Sequence, residues 1–315
     1  MDLTGVRFAL AGRVGPPLGP SIDRVSRLVL QFPPTIRCPC CASLGDALLR
    51  LTIASIPSAR MTPMSAPLSP FGRYRSEFSD IPGFLQAESM VLWDFFLTLQ
   101  ARLGISGHLL EIGVHMGKSA VLGALYMRPE ELAVFVDLNF RDQARDAIQK
   151  ARPGQNVFLE QRSCDILREP LLRNSAGGFR WCHIDGDHTG YSTTQDLCTA
   201  AYLVGERGII CVDDFFNFRY PQLTSAVYQF LNADSARFRM LFCGANKCYI
   251  CRAQAYASYE HEIRESMAAH IRLHDLTVQL YKTSFSYDGG CFSMWLGDQQ
   301  RAVYGMDENP DVIPF

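Results

Sequence analysis

From position 83 onward apolar residues recur at helical spacing: Leu85, Leu92, Phe95, Phe96, Leu99 and Leu103 stand at intervals of three, four and seven. This stripe predicts an amphipathic helix packed against whatever follows it. Beyond position 107 the pattern changes to short apolar runs that alternate with helix-like segments. HLLEIG precedes a helix over 117–127, AVFVDL one over 141–151, and NVFLEQRSC a short one near 166–173; FRWCHID precedes 190–204 and GIICVDD precedes 222–232. Strands covered on both faces read as continuous apolar runs, so five strand–helix units in succession predict a parallel sheet with helices on either side.

The run RMLFCGANKCYICRAQ has two β-rich halves around Gly244, Ala245, Asn246 and Lys247, and reads as an antiparallel hairpin that closes the sheet. The fold class is therefore α/β, doubly wound and mostly parallel, with an antiparallel terminal hairpin. Residues 66–105 form an N-terminal helical cap, 106–254 the core, and 255–315 a C-terminal extension. The extension reads as one or two helices over 255–282 and an irregular, aromatic and Gly-rich tail, SYDGGCFSMWLG. That tail caps the substrate site, mediates homo-oligomer formation or covers an exposed face.

Composition narrows the function classes. The chain has 315 residues, 48% of them hydrophobic, and a net charge of −2, enough for a large core and without the basic density of a nucleic-acid binder. No apolar run reaches the length of a bilayer span, so no membrane partner is expected. Eleven cysteines, an odd count without a secretory signal, fit reduced thiols and a cytoplasmic location. Residues 1–65 differ: seven Arg, three Asp, no Lys and no Glu, with repeated Pro and Gly. They read as a disordered leader or as sequence upstream of a start at Met61 or Met64, with a transit peptide as the third option. Cys38, Cys40 and Cys41 lack the second pair a zinc ribbon needs. Cys243, Cys248 and Cys251 are expected as small buried side chains of the hairpin.

The first chemical signal is HLLEIGVHMGKS, residues 108–119, with a lone acid at Asp137 ending the next strand. A strand, a glycine turn and a helix bring backbone N–H groups and a helix N-terminus to one point at the carboxyl edge of a sheet. A phosphate-cradling loop would need Gly at position 112, where Ile112 stands, and a dinucleotide fingerprint fails because His115 takes its middle glycine position. What remains is E-x-G-x-x-x-G followed by an acid placed to accept from a ribose diol.

The second signal is WCHIDGDHTGY followed by IICVDDF. Asp185 ends the fourth strand, while Asp213 and Asp214 end the fifth beyond a helix and a turn at Gly205 and Gly208. Neighbouring strands lie about 4.8 Å apart, so three carboxylates meet at the edge that carries the glycine turn. Their repulsion is relieved by a divalent cation, and oxygen donors favour Mg²⁺. Without an ion, Asp187 or Thr189 would serve only to cap the following helix.

Together these patterns resemble class I S-adenosylmethionine-dependent methyltransferases over residues 83–254, and among them the metal-dependent O-methyltransferases of the glycoside type, more distantly the catechol type. The resemblance implies a seven-stranded Rossmann-like sheet. It further implies that Gly113 and Gly117 let the methionine part approach, that Glu111 orients its ammonium or the turn, and that Asp137 holds the ribose. Asp165 matches the position that meets the adenine amine. Ser119 and His115 would touch the donor carboxylate, Ser119 alternatively starting the helix. Asp185, Asp213 and Asp214 match metal ligands. The glycoside type places an acidic base at Asp187, whereas the catechol type has a lysine at the position of His188; the base stays open between Asp187 and His188. The implied reaction moves a methyl group to a hydroxyl of a small molecule such as a sugar, a glycoside or another natural product.

Two other readings follow from the same residues. His183 and Asp185 form an H-x-D pair, the start of a non-haem iron oxygenase triad if His261, His270 or His274 supplied the third ligand. Alternatively, the chain is a binding protein of methyltransferase fold that has lost activity. Phe71, Tyr74 and Phe78 in the cap, with Phe285, Tyr287 and Trp295 in the tail, are candidates for an acceptor pocket or for packing.

Overall fold

A computed structural model describes residues 67–282 and 290–296. The readings made for residues 1–65, including the Cys38, Cys40 and Cys41 cluster, lie outside these, as do Phe285 and Tyr287. The cap opens with α1 (Pro70–Glu77), whose N-terminus is closed by Ser69 Oγ accepting from Gly72 N at 3.0 Å. It continues with α2 (Ala87–Arg102), the helix predicted from the stripe at 83–103. The core then alternates as β1 (His108–Ile112), α3 (Lys118–Leu125), β2 (Ala133–Asp137), α4 (Asp142–Ala151) and β3 (Asn156–Glu160). A 3-10 turn (Ser163–Arg168) and the short α5 (Pro170–Arg173) lead to β4 (Phe179–Ile184), α6 (Gly190–Leu203), β5 (Val204–Val212) and α7 (Pro221–Ala233).

The predicted hairpin is β6 (Phe238–Gly244) and β7 (Lys247–Arg252). Its two-residue turn uses Ala245 and Asn246 at φ +50° and +65°, the left-handed pair that matches strand twist. After it come α8 (Ala253–Glu262), a π-helical turn (Ile263–Met267), α9 (Ala268–Arg272), β8 (Val278–Lys282) and β9 (Phe292–Leu296).

The strand order is β3-β2-β1-β4-β5-β7-β6-β9-β8. The first five strands pair in parallel, and β7 enters antiparallel against β5. The order reverses between β1 and β4, and this reversal is the switch point at which open α/β sheets bind ligands.

Two expectations are corrected. Among the described residues the sheet has nine strands rather than seven, because 278–282 and 292–296, read as helix and irregular tail, pair with each other and extend the sheet past β6. Gly205 and Gly208 do not form a turn between helix and strand; they lie inside β5, where the pairing with β4 jumps from Val204 to Ile209.

The two-residue period of the strands sorts side chains between two cores. Leu109, Phe135, Trp181, Ile209 and Tyr249 pack under α2, α3, α4 and α8. Leu110, Val134, Cys182, Ile210 and Ile250 pack under α6 and α7 on the opposite face. Cys248 and Cys251 are fully or almost fully buried members of these layers, as expected of small apolar side chains. Phe71, Tyr74 and Phe78 are likewise core residues and do not line the cavity at the switch point. Among the described residues no helix is long and apolar enough to cross a membrane.

Candidate functional site

The turn after β1 fixes the geometry of the switch point. Gly113 has φ +85°, and a Cβ there would stand 1.9 Å from the main-chain oxygen of Asp185. Only glycine lets the ends of β1 and β4 come this close. Gly117, also at φ +85°, heads α3, where a Cβ would meet Ala144 of α4 at 3.3 Å. Both glycines thus have packing reasons that the resemblance did not imply.

Asp137 ends β2 and ties this turn together. Its Oδ2 accepts from the backbone N–H groups of Val114 and His115 at 2.8 and 3.0 Å, and its Oδ1 from Asn139 N at 3.1 Å. A carboxylate offers about four lone pairs, so one acceptor position is left for a hydroxyl. His115, at φ +49°, is exposed beside it.

A cavity of about 790 Å³ opens at this edge. Gly113, His115, Asp137, Asp185 and Asp187 line it, together with residues that follow the strand ends: Asn139 and Arg141 after β2, Gln161 and Arg162 after β3, Tyr191 and Gln195 on α6. Motif reasoning missed this second group. Topology was the available signal, since the carboxyl ends of β2 and β3 border the same crevice.

Glu111 and Ser119 turn inward instead. Glu111 is fully buried, its Oε1 accepting from Ser119 Oγ at 2.5 Å and standing 3.1 Å from His183 Nδ1. These two side chains hold the start of α3 to β1 and do not border the cavity. Asp165 sits in the 3-10 turn and pairs with Arg168 at 3.2 Å, next to Cys164, which does line the cavity. His183 is buried edge-on against Trp93, with its Nε2 3.8 Å from Asp213 Oδ2. His270 and His274 gather around Asp94, and among the described residues no second histidine joins His183 and Asp185 in a ligand group. The two-histidine oxygenase triad is therefore not assembled.

The acids come together as the strand order requires. Asp213 meets the ammonium of Lys247, a fully buried side chain at the start of β7, and its Oδ1 accepts from Asp214 N at 2.8 Å. Burial raises the Asp213 carboxyl, but the Lys247 charge and the His183 ring bring it below the usual carboxylate range. Lys247 was legible in principle: Val212 pairs with Cys248, which sets Lys247 beside the residue after β5. Asp214, at φ +54°, accepts from Asn217 Nδ2 at 2.7 Å and Asn246 Nδ2 at 2.6 Å, and its Oδ2 lies 2.5 Å from His188 Nε2. Despite partial burial these contacts lower its pKa to about 2.

His188 is held at both ring nitrogens, Nδ1 lying 2.7 Å from the Gly186 oxygen. The Asp214 contact raises its pKa, against the effect of burial. Asp187 is exposed and accepts from Thr189 Oγ1 at 2.9 Å and Ser192 Oγ at 2.8 Å; the Ser192 bond is the main cause of a lowered pKa. Thr189 itself caps α6, accepting from Ser192 N.

Asp185 is the acid left facing other carboxylates. Burial and the Asp213 charge push its carboxyl well above the usual range, and the nearby His188 Nε2 is 4.0 Å away. A carboxyl so placed is one that a cation would relieve. Ligand atoms of Asp185, His188 and Asp214 lie within 4.8 Å of one another, and Asp185, Asp213 and His183 form a second such group. Mostly oxygen donors, at a cavity wall, fit a hard divalent ion. Asp213 fits less freely, with one oxygen held by Lys247.

Residues 110–215, from β1 to the loop after β5, match a family described as "Methyltransferase domain". No match is found among curated proteins. Among solved structures, the chain is similar to CalS11, a calicheamicin methyltransferase, with 18% identity over 55% of this chain and 82% of that one, at a TM-score of 0.43. It is similar to the O-methyltransferase NovP with 16% identity over 52% and 78%, at 0.41. It is also similar to MycE, a methyltransferase of the mycinamycin pathway solved with Mg and SAH, with 14% identity over 60% of this chain and 55% of that one, at 0.45.

Proposed function

We propose that this chain, whose core carries a methyltransferase domain, uses S-adenosylmethionine to methylate a hydroxyl of a small molecule such as a sugar or glycoside, with a divalent metal, Mg²⁺ in the first instance, beside the acceptor. The observation that supports this most is the shared cavity: the glycine turn and Asp137 border one part of it, Asp185 and Asp187 another. In this reading the free acceptor position of Asp137 takes a ribose hydroxyl, while the exposed His115 side chain faces the methionine part. Asp185, Asp214 and, less freely, Asp213 would hold the metal, which when bound acts as a Lewis acid toward the acceptor oxygen. S-adenosylmethionine supplies the methyl group.

Asp187 is the better base of the two considered. It borders the cavity as an anion, and a proton taken there at a cavity wall can leave to solvent. His188 has both nitrogens engaged and serves as the charge partner of Asp214. Exposed Phe216 and Phe218 follow Asp213 and Asp214 on the same loop, and Tyr191 borders the cavity; they offer apolar faces to an acceptor ring. We place the protein in the cytoplasm on its composition.

Calorimetric titration with S-adenosylmethionine, followed by transfer of labelled methyl to a panel of glycosides and phenols with Mg²⁺ or with chelator, tests this. Donor binding with metal-dependent transfer is expected, and Asp187→Asn should lose about a hundredfold or more in kcat. Failure to bind the donor would overturn the proposal; transfer unaffected by chelator would remove the metal from it.

A further inference from the structure

Away from the cavity, three ligand side chains from distant parts of the sequence meet at one point. Asp94 is on α2, His270 on α9, and His274 in the turn that follows α9. Asp94 Oδ2 lies 2.9 Å from His270 Nε2 and 2.8 Å from His274 Nε2. The other oxygen of Asp94 accepts from the Tyr126 hydroxyl and from Thr98 Oγ1 at 3.2 Å. Phe71 packs edge-on against His274 at 4.7 Å and Phe95 against His270 at 5.5 Å. The side chains are 9%, 18% and 15% exposed, buried enough to be held and open enough for an ion to enter.

From this geometry we infer that Asp94, His270 and His274 form a zinc site that fastens the C-terminal helical segment to α2. Two imidazole nitrogens and one carboxylate oxygen are a donor set zinc accepts, and His270 and His274, on either side of the end of α9, both reach the same oxygen of Asp94. Nitrogen donors disfavour Mg²⁺, which separates this site from the acidic one. With zinc–ligand bonds of about 2.0–2.1 Å, tetrahedral ligands stand about 3.3 Å apart, so each imidazole nitrogen needs to draw back from the Asp94 oxygen by only about half an ångström. Each imidazole then binds through Nε2 as the neutral ring with its proton on Nδ1: a ring protonated at both nitrogens releases its Nε2 proton to solvent, and a ring protonated only at Nε2 exchanges that proton for one on Nδ1. The bonds from Tyr126 and Thr98 orient the carboxylate, the outer support that metal ligands ordinarily have. A water completes the coordination from the exposed side of the two rings.

The alternative is a histidine–carboxylate–histidine hydrogen-bond bridge without metal, and glutamine separates the two. An amide in place of His274 still donates to Asp94 but is a poor zinc ligand. The test uses the full chain with Asp185→Asn, so that the acidic cluster does not contribute, stripped with chelator and titrated with Zn²⁺. We expect one zinc per chain by metal analysis, a rise in Tm on adding zinc, and visible absorption of a tetrahedral centre when Co²⁺ replaces zinc. Adding His274→Gln or, separately, His270→Gln should weaken zinc binding at least tenfold and abolish the Tm response, with circular dichroism confirming the fold. The inference is overturned if the Asp185→Asn chain retains no zinc and gives no cobalt spectrum, or if either folded glutamine variant binds zinc as its parent does.

Discussion

A methyl group added at position 113 would lie 1.9 Å from the Asp185 carbonyl oxygen, so Gly113→Ala forces apart the two strand ends that border the cavity. With φ at +85° the cost combines backbone strain and overlap, about 3 kcal/mol or more. Chemical denaturation should show that loss, with donor affinity falling alongside it. Asp196 makes a different point. It is fully buried on α6, and burial raises its pKa to about 6. Because the folded state holds this proton more tightly than the unfolded chain, its contribution to stability is greatest below pH 3.8, declines as pH rises toward about 6, and is flat above. Asp196→Asn should therefore stabilise the protein by up to about 3 kcal/mol at pH 8 and change little at pH 3.5. Equal effects in urea melts at the two pH values would refute the assignment. At this scale the sequence disclosed which residue types gather at the site and not which way they face. Glu111 and Asp185 both stand near strand ends, yet period-two alternation sends Glu111 under α2, where Ser119 of α3 and His183 engage it.

Elements are joined by a polar cluster that no local pattern revealed. Arg180, on β4, contacts both oxygens of Glu131 at 3.1 Å, Gln100 Oε1 of α2 at 2.9 Å, and the Tyr126 carbonyl oxygen at the end of α3 at 2.8 Å. Glu131, in the loop before β2, also accepts from the N–H groups of Gly107 and Arg128. Burial raises its carboxyl, but Arg180 together with the Arg128 and Gly107 N–H groups brings it below the usual carboxylate range. One guanidinium thus sets the separation of the cap helix, the loop and the central strand. Removing it leaves a buried carboxylate unpaired, so Arg180→Met should cost about 3–5 kcal/mol, whereas the double change Arg180→Met with Glu131→Leu should recover most of that. A double-mutant cycle on unfolding free energies measures the coupling; additive losses would show that the pair does not bridge these elements. The strands and helices themselves were readable from apolar runs and turns, with β1, β2, β4, α6 and the hairpin within a few residues of expectation. The partners of Gln100, Arg180 and Asp94 were not, because each pairing joins segments far apart in the chain.

Across the whole molecule, the part of the sheet left unread is the part without periodicity. VQLYK and FSMWL are each five residues, and the intervening stretch rich in aromatics and glycine resembles an irregular tail more than a pair of strands. What places them is the open edge of β6, which β9 joins in parallel, with β8 then pairing antiparallel beyond it. An uncovered edge next to buried Leu241 and Phe242 invites association with another chain. The extension also buries Val278, Leu280 and Phe292, a contribution on the order of 5 kcal/mol from three side chains. The cavity, in contrast, is lined entirely by residues between Ile112 and Gln195. A chain ending at Asp275 should accordingly melt at lower temperature and self-associate in light scattering, while its monomeric fraction binds S-adenosylmethionine within about twofold of the full chain, a difference of about 0.4 kcal/mol. Loss of donor binding in that folded monomer would instead make the extension part of the site, and an unchanged Tm would mean that β8 and β9 are not needed to cover the edge.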